Sequence, residues 1–286
     1  MSTRLRRFAA VNAQIVADGA YTADDGTRVA VGPALAAAIS GTRSHPPGEP
    51  IDVPVTATGR RTVFEVTAEG SLQAARRLHL EGAGRIAVLN FASARNPGGG
   101  YLGGAKAQEE DLCRHALLYP CLLEAPDYYA GHRASPDLLY SDHVIWSPEV
   151  PVHRGGDGRL LPDPYPVSFL TCPAPNAGQV LRRDPDAGER IRQALHRRAA
   201  RVLAVAAHHG VRQMVLGAWG CGVFRNDPRE VAEAFHALLT GDGAVASAFE
   251  RVVFAVWDRS PESVNRAAFT DRFAGAAPAG PSPRSA

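Results

Sequence analysis

Apolar residues recur at helical spacing near the start of the chain. Leu5, Phe8, Val11, Ile15 and Val16 fall on or near one face and predict an amphipathic helix over residues 3–18. A polar stretch with proline and glycine follows to about residue 61, broken by an apolar patch from Val29 to Ile39. Thr62 to Thr67 alternates as a half-buried strand does, and Ser71 is placed to cap a helix running to about Glu81. Arg85 to Phe91, RIAVLNF, is a short apolar run that fits a buried strand. A glycine-rich loop over 92–104 separates it from a helix predicted from near Ala105 to about Leu123. Pro120 is expected to kink or break that helix, because proline removes a backbone donor and clashes with the preceding turn.

Val144 to Val152 and Tyr165 to Thr171 read as strands, with a glycine-marked turn at 155–158 between them. Asp186 to His209 is a long helix rich in Ala and Arg, and Gly210 fits as its C-terminal cap. Gln213 to Leu216 is a buried strand, followed by a second glycine-bearing loop over 217–227. Then come a helix over 228–240, a strand over 251–257 and a helix over 261–273. Strands alternating with helices imply an α/β chain: a three-layer α/β/α fold with a mixed, largely parallel sheet. The expected organisation is an N-terminal helical extension (1–61), a core (62–274) and a low-complexity, disordered tail (275–286), without an internal repeat.

Composition narrows the class. The 286 residues carry 31 Lys plus Arg against 29 Asp plus Glu, a net charge of +2, which gives no reason to expect direct DNA binding. All the basic residues but Lys106 are arginine, which reads as genomic base composition. No apolar run approaches the ~18 residues of a membrane span. Residues 1–21 lack the apolar core of a secretory signal. The 4 cysteines show no CxxC spacing, so reduced thiols and a cytoplasmic location are expected. The 10 histidines include no HExxH or HxH, so neither a metal nor any other cofactor is expected.

The chemistry concentrates in Leu89 to Glu110, LNFASARNPGGGYLGGAKAQEE, which starts on a buried strand and ends on a helix. In open α/β sheets ligands bind at the carboxyl ends of strands. Gly98, Gly99 and Gly100 allow close backbone approach, and exposed N–H groups there can hold phosphate or ribose oxygens. Glu109 and Glu110 are adjacent, so on a helix they point about 100° apart and cannot share one task. The loop lacks the Rossmann and Walker A patterns. The second loop, GAWGCGVFRNDP over 217–228, also joins a buried strand to a helix N-terminus, a ready anion site. Two such loops on one sheet can clamp a diphosphate. Cys221 has no histidine nearby in sequence and reads as a packing residue, and Trp219 reads as core.

The run from Gly98 to Glu110, GGG, seven residues, then QEE, resembles the signature of poly(ADP-ribose) glycohydrolases. NFASARNPGGGYLGGAKAQEE and GAWGCGVFRNDP resemble the bacterial-type branch, and the opening helix with Gly19, Ala20 and Tyr21 resembles its first segment. The likeness runs over residues 3–273 in element order. It implies a macrodomain and, position by position, a set of roles. Glu110 is then the catalytic acid and Glu109 the acidic partner beside the scissile ribose. Asn96 contacts the distal ribose, Gly98, Gly99 and Gly100 form the catalytic loop, and Gln108 joins them as a substrate-binding residue. Gly220, Gly222, Val223 and Phe224 form the diphosphate loop, with Phe224 pressing on the distal ribose. Arg225 stands where that branch would carry a smaller residue.

The implied reaction is hydrolysis of ribose–ribose O-glycosidic bonds in poly(ADP-ribose), mainly from the free end, releasing ADP-ribose. Such cleavage passes through an oxocarbenium-like transition state. A protonated Glu110 would give its proton to the leaving 2′-oxygen and take one from the attacking water, which calls for partial burial. The free-end preference rests on the helix over 261–273 closing the far side of the adenosine pocket, with Arg266, Thr270 and Arg272 at its rim. The expected partners are poly(ADP-ribose) and ADP-ribose, with no membrane and no direct DNA contact, and the chain is expected to be monomeric. Competing expectations are a macrodomain that binds ADP-ribose without turnover and a hydrolase of mono-ADP-ribosylated targets.

Overall fold

The computed structural model describes residues 2–53 and 62–275, so the tail expected from 275 lies, apart from Gly275, outside the described residues. The chain runs α1 (Thr3–Asp18), β1 (Ala20–Thr22), β2 (Arg28–Ala30), α2 (Gly32–Gly41), β3 (Arg43–His45), β4 (Val63–Thr67) and α3 (Ser71–Leu80). It continues β5 (Ile86–Phe91), α4 (Gln108–His115), α5 (Leu118–Leu123), α6 (Pro126–Ala134), β6 (Val144–Arg154) and β7 (Leu160–Cys172). It closes with α7 (Ala177–Arg183), α8 (Gly188–His208), β8 (Gln213–Leu216), α9 (Pro228–Leu239), β9 (Arg251–Ala255) and α10 (Val264–Phe273).

The main sheet has the order β3-β6-β7-β5-β8-β9-β4. From β7 through β4 all neighbours are parallel, while β6 and β3 pair antiparallel at one edge. The central strand β5 is buried on both faces, as an interior parallel strand must be. Ala87 and Leu89 face a core shared with α7, α8, α9 and α10. Ile86 and Val88 face a second core shared with helices α1 to α6. This is the expected three-layer α/β/α arrangement. On α8 the buried residues Ile191, Ala194, Leu195, Ala199, Val202 and Ala206 recur at three- and four-residue steps, which places one apolar stripe on the sheet.

Several local details differ from the sequence reading. The helix expected over 105–123 is two helices. It breaks ahead of Pro120, at Ala116, which bridges Val152, and at Leu117, whose N–H donates to Pro151 O at 3.0 Å. Pairing with β6 outcompetes another helical turn, and Pro120 then sits harmlessly in the first turn of α5. Gly70 rather than Ser71 occupies the cap of α3, and its N–H donates to Gln73 Oε1 at 2.8 Å. The 29–39 patch hides a helix, α2, whose small and apolar residues show no period. The segment before residue 61 also lends β3 to the main sheet.

Two buried polar side chains fasten this frame. Asn12 on α1 donates to Cys113 O and Arg114 O at 3.0 and 3.1 Å, so the N-terminal helix holds the end of α4. Arg198 on α8 is wholly buried and pairs with Asp142 at 3.1 Å. It also donates to Pro173 O (2.9 Å), Leu139 O (2.8 Å) and Tyr140 O (3.1 Å). It thereby joins the end of β7 to the 139–142 loop. Removing one partner of such a buried network strands the others, so Arg198→Ala should cost about 3–5 kcal/mol. Urea unfolding measures it, and a cost below about 1 kcal/mol, the worth of an exposed pair, would contradict this role.

Candidate active site

Strand β5 ends beside β8, and the two are parallel neighbours. The loops that leave them therefore open side by side at the same edge of the sheet. The first loop, 92–107, delivers the chain to α4, whose first turn holds Glu109, Glu110 and Asp111. Negative charge there is favoured by the helix dipole, by ~0.3–1 kcal/mol on a surface. Here Glu109 and Glu110 are 3% and 7% exposed, so their solvation has to come from the protein.

Each carboxylate has its own donors. Ser93 N–H donates to Glu109 Oε2 at 2.7 Å, and Asn90 Nδ2 donates to Oε1 at 3.3 Å. Gly100 N–H donates to Glu110 Oε1 at 2.8 Å, while Glu110 Oε2 is buried without a hydrogen-bond partner. Burial pushes the Glu109 carboxyl up to about 8, against the pull of the Ser93 and Asn90 bonds, and the charge on Glu110 adds to the rise. Glu110 is buried beside it, with one carboxylate oxygen free of protein partners.

The glycines are dictated by this approach. Gly99 has φ +58°, and a Cβ there would lie 2.6 Å from Glu110 Oε1 and 3.0 Å from Glu109 Oε2. A Cβ on Gly98, at φ +64°, would lie 3.0 Å from Tyr119 and 3.3 Å from Cys113 Sγ. One on Gly100 would lie 2.6 Å from Ala105 Cβ. Asn96 sits exposed on the same loop, and its carbonyl accepts from Gly99 N–H at 2.9 Å. Gln108 is engaged at both ends of its amide: Nε2 donates to Leu89 O (2.8 Å) and Ser71 Oγ (3.2 Å), and Oε1 accepts from Phe91 N–H (2.8 Å). Its observed work is to pin the start of α4 to the end of β5.

The second loop is held from below. Asn226 is 3% exposed and donates to Pro175 O at 2.8 Å and Gly220 O at 3.1 Å. Gly220, at φ +72°, leaves no room for a Cβ against Ala174 and Asn226. Gly222 and Val223 project outward, Val223 being 85% exposed. Phe224 is half-buried, with its ring centroid 5.9 Å from that of Tyr140. Both Arg225 (φ +57°) and Tyr140 (φ +59°) hold left-handed backbones that are uncommon outside glycine, and such strain gathers at ligand sites. The stem of Arg225 packs on Gly178. Trp219 is core, its indole donating to Cys172 O at 3.1 Å. Burial pushes the Cys221 thiol up to about 12, which leaves it unactivated.

The candidate residues thus fall into two groups on adjoining loops: Asn96, Gly98, Gly99, Gly100, Gln108, Glu109 and Glu110 on the first, Gly220, Gly222, Val223 and Phe224 on the second. Asn90 was missed. It is wholly buried, bonds both Glu109 and Thr171 Oγ1 (3.1 Å), and keeps its Oδ1 without a partner. The available signal was one amide in the otherwise apolar run RIAVLNF. Among the described residues no group of three or more His, Cys, Asp or Glu is placed to hold a metal ion. No helix among them is long and apolar enough to cross a membrane.

Comparison with known proteins bears on this site. A family model described as the catalytic domain of microbial-type PARG matches residues 9–155. A poly(ADP-ribose) glycohydrolase structure from Thermomonospora curvata bound to the inhibitor ADP-HPD is 49% identical and covers 95% of this chain and 100% of its own, with a TM-score of 0.88. A second structure of the T. curvata protein gives 47% identity over the same shares and a TM-score of 0.87. A poly(ADP-ribose) glycohydrolase from Deinococcus radiodurans in complex with ADP-ribose is 48% identical over 85% of this chain and 98% of its own, with a TM-score of 0.77. No curated protein matches the chain.

Two outcomes follow from the geometry. Gly99→Ala forces a left-handed alanine and displaces both carboxylates, so it should cost at least the ~1–2 kcal/mol of that backbone. Gly222→Ala has open space around its Cβ and no positive φ, and should stay within ~0.5 kcal/mol of the parent. Denaturant titrations compare them, and equal costs would refute this account of Gly99. The second outcome concerns pH. A carboxyl raised from its ordinary 4.5 to about 8 lends stability that is complete below about 4.5 and is lost as pH rises through about 8. Glu109→Gln removes that loss, so the melting temperature of the variant should gain on that of the parent between pH 5 and 8. A difference independent of pH would show that Glu109 is not raised.

Proposed function

We propose that this chain, which belongs to the microbial-type PARG family, hydrolyses the ribose–ribose O-glycosidic bonds of poly(ADP-ribose) and releases ADP-ribose. The observation that carries the reading is the pair of adjacent buried carboxylates anchored by backbone amides of a triple-glycine loop, with Glu110 Oε2 left unpartnered. A module that only held an anionic ligand would gain nothing from two acids beside it.

The chemistry follows from that arrangement. Glu110, protonated, gives its proton to the 2′-oxygen of the adjoining adenosine as the bond from that oxygen to C1″ breaks. Water then adds to the oxocarbenium carbon from the side the leaving group vacates. Its proton passes to the Glu110 carboxylate, which restores the starting acid. Glu109 binds the ribose hydroxyls and fixes the sugar against the catalytic loop, with Asn96 on its distal side. The diphosphate lies against the second loop at Gly220, Gly222 and Val223, and its charge stabilises the cation while Phe224 presses on the ribose. Gln108 serves by holding α4 in place.

The finer features are proposals of the same reading. Residues 62–274 form the catalytic core, with the segment before them as an extension that carries β3. We propose as well that cutting proceeds mainly from the free end, with α10, whose Phe269 and Phe273 pack into the core, as the wall of the adenosine side. The enzyme works as a cytoplasmic monomer on the polymer, without direct DNA contact, and its four free thiols fit a reducing compartment. Glu110→Gln should lower turnover of labelled polymer at least ~10²–10⁴-fold while ADP-ribose binding persists. A variant keeping a third of the parent rate removes Glu110 from the acid role. Polymer left intact by the parent protein, with mono-ADP-ribosylated protein cleaved instead, overturns the substrate. On time-resolved gels, monomeric ADP-ribose from the earliest points is expected, and early oligomers of intermediate length would contradict the closed adenosine side.

A further inference from the structure

Two arginines beside the catalytic loop lack an acidic partner among the described residues, as do many other exposed arginines, while some are paired. Arg77 pairs with Glu65 and Glu69, Arg192 with Glu230, and Arg251 with Glu65. Arg95 and Arg133 are exposed, and among the described residues neither meets a carboxylate. They are nonetheless held in place. Arg133, in the last turn of α6, donates from Nη1 to Arg95 O at 2.7 Å. Arg95 donates from Nη2 to Ser135 O at 3.4 Å, and its own N–H donates to Ser93 Oγ at 3.3 Å. The nearby Asp137 is exposed, and its Oδ1 is engaged in a local turn, accepting from Leu139 N–H at 2.9 Å.

Ser93 is the residue whose N–H binds Glu109, so the backbone of Arg95, which bonds Ser93 Oγ, is anchored one residue contact away from that carboxylate. Two steps along the chain cannot exceed about 7.6 Å between Cα atoms, which puts Arg95 well within side-chain reach of a ligand leaving that site. The side of the site is equally defined. Ala92 N–H donates to Cys172 O, so this part of the loop leans on the end of β7, whereas the second glycine loop rises from β8 on the other side of β5.

Resting on the reading of the preceding subsection, a bound unit has its diphosphate on the β8 side and its cleavable ribose at Glu109 and Glu110. The rest of the polymer then departs toward β7. The first anion along it is the diphosphate of the adjoining unit, and paired guanidinium forks suit phosphate oxygens. We propose that Arg95 and Arg133 form a subsite for the diphosphate of the ADP-ribose unit that leaves when the bond is cut. This makes them binding residues for the departing chain and not for the unit held in the pocket.

The test uses the full chain carrying Glu110→Gln, which holds polymer without cutting it, and compares short ADP-ribose oligomers with monomeric ADP-ribose. Adding Arg95→Ala and Arg133→Ala should weaken oligomer binding about tenfold or more, the loss of at least one charge-assisted bond. Monomer affinity should stay within about twofold, which also reports that the pocket is folded, and the salt dependence of oligomer binding should flatten. Arg95→Lys with Arg133→Lys should recover part of the loss. Unchanged oligomer affinity, or an equal fall for oligomer and monomer, overturns the subsite while leaving the glycohydrolase reading intact. A Glu110→Gln protein that binds neither ligand overturns both.

Discussion

Two neighbouring carboxylates have been taken out of water, and most of the structure around them answers that one electrostatic demand. Burying a carboxylate without donors would cost several kcal/mol. Ser93 and Gly100 supply backbone N–H groups, Asn90 supplies an amide, and the first turn of α4 adds its dipole. Amide donors can come that close only from a chain without side chains in the way, which is why Gly99 touches both acids. One oxygen of the pair, Glu110 Oε2, is left without a hydrogen-bond partner in the protein.

The frame keeps this arrangement from relaxing. Gln108 locks α4 to the strand beneath it, and Asn12 holds the far end of that helix from the N-terminal segment. Asn226 ties the second loop to the segment after β7, and Arg198 joins that segment to 139–142. These are buried polar ties between elements distant in sequence. They contribute a fixed geometry more than net stability, since apolar replacements of the same shape can match buried ion pairs in energy.

Much of this was legible from residue order. Periodicity identifies α8 and α9 because each buries a regular apolar face, short apolar runs identify β5 and β8, and the glycine run with its following QEE points to the candidate site through its family resemblance. The parts that escaped share one property: their information is non-local. β3 is three residues whose strand identity comes from pairing with β6. The break at Ala116 reflects a partner strand thirty-odd positions away, not Pro120. Asn90 looks like an oddity in an apolar strand until Glu109 is folded over it, and Arg198 is one arginine among many on an Ala- and Arg-rich helix until Asp142 and three carbonyls close around it.

The two glycine loops rise from adjacent parallel strands, and a β-sheet is a periodic object with rungs about 4.8 Å apart. The roots of the two loops are therefore held one strand spacing apart by the hydrogen bonds of the backbone, whatever the side chains above them do. The sheet acts as a gauge block. Substitutions in either loop can reshape what the site grips, but they leave unchanged the spacing of the strands from which the two loops reach out.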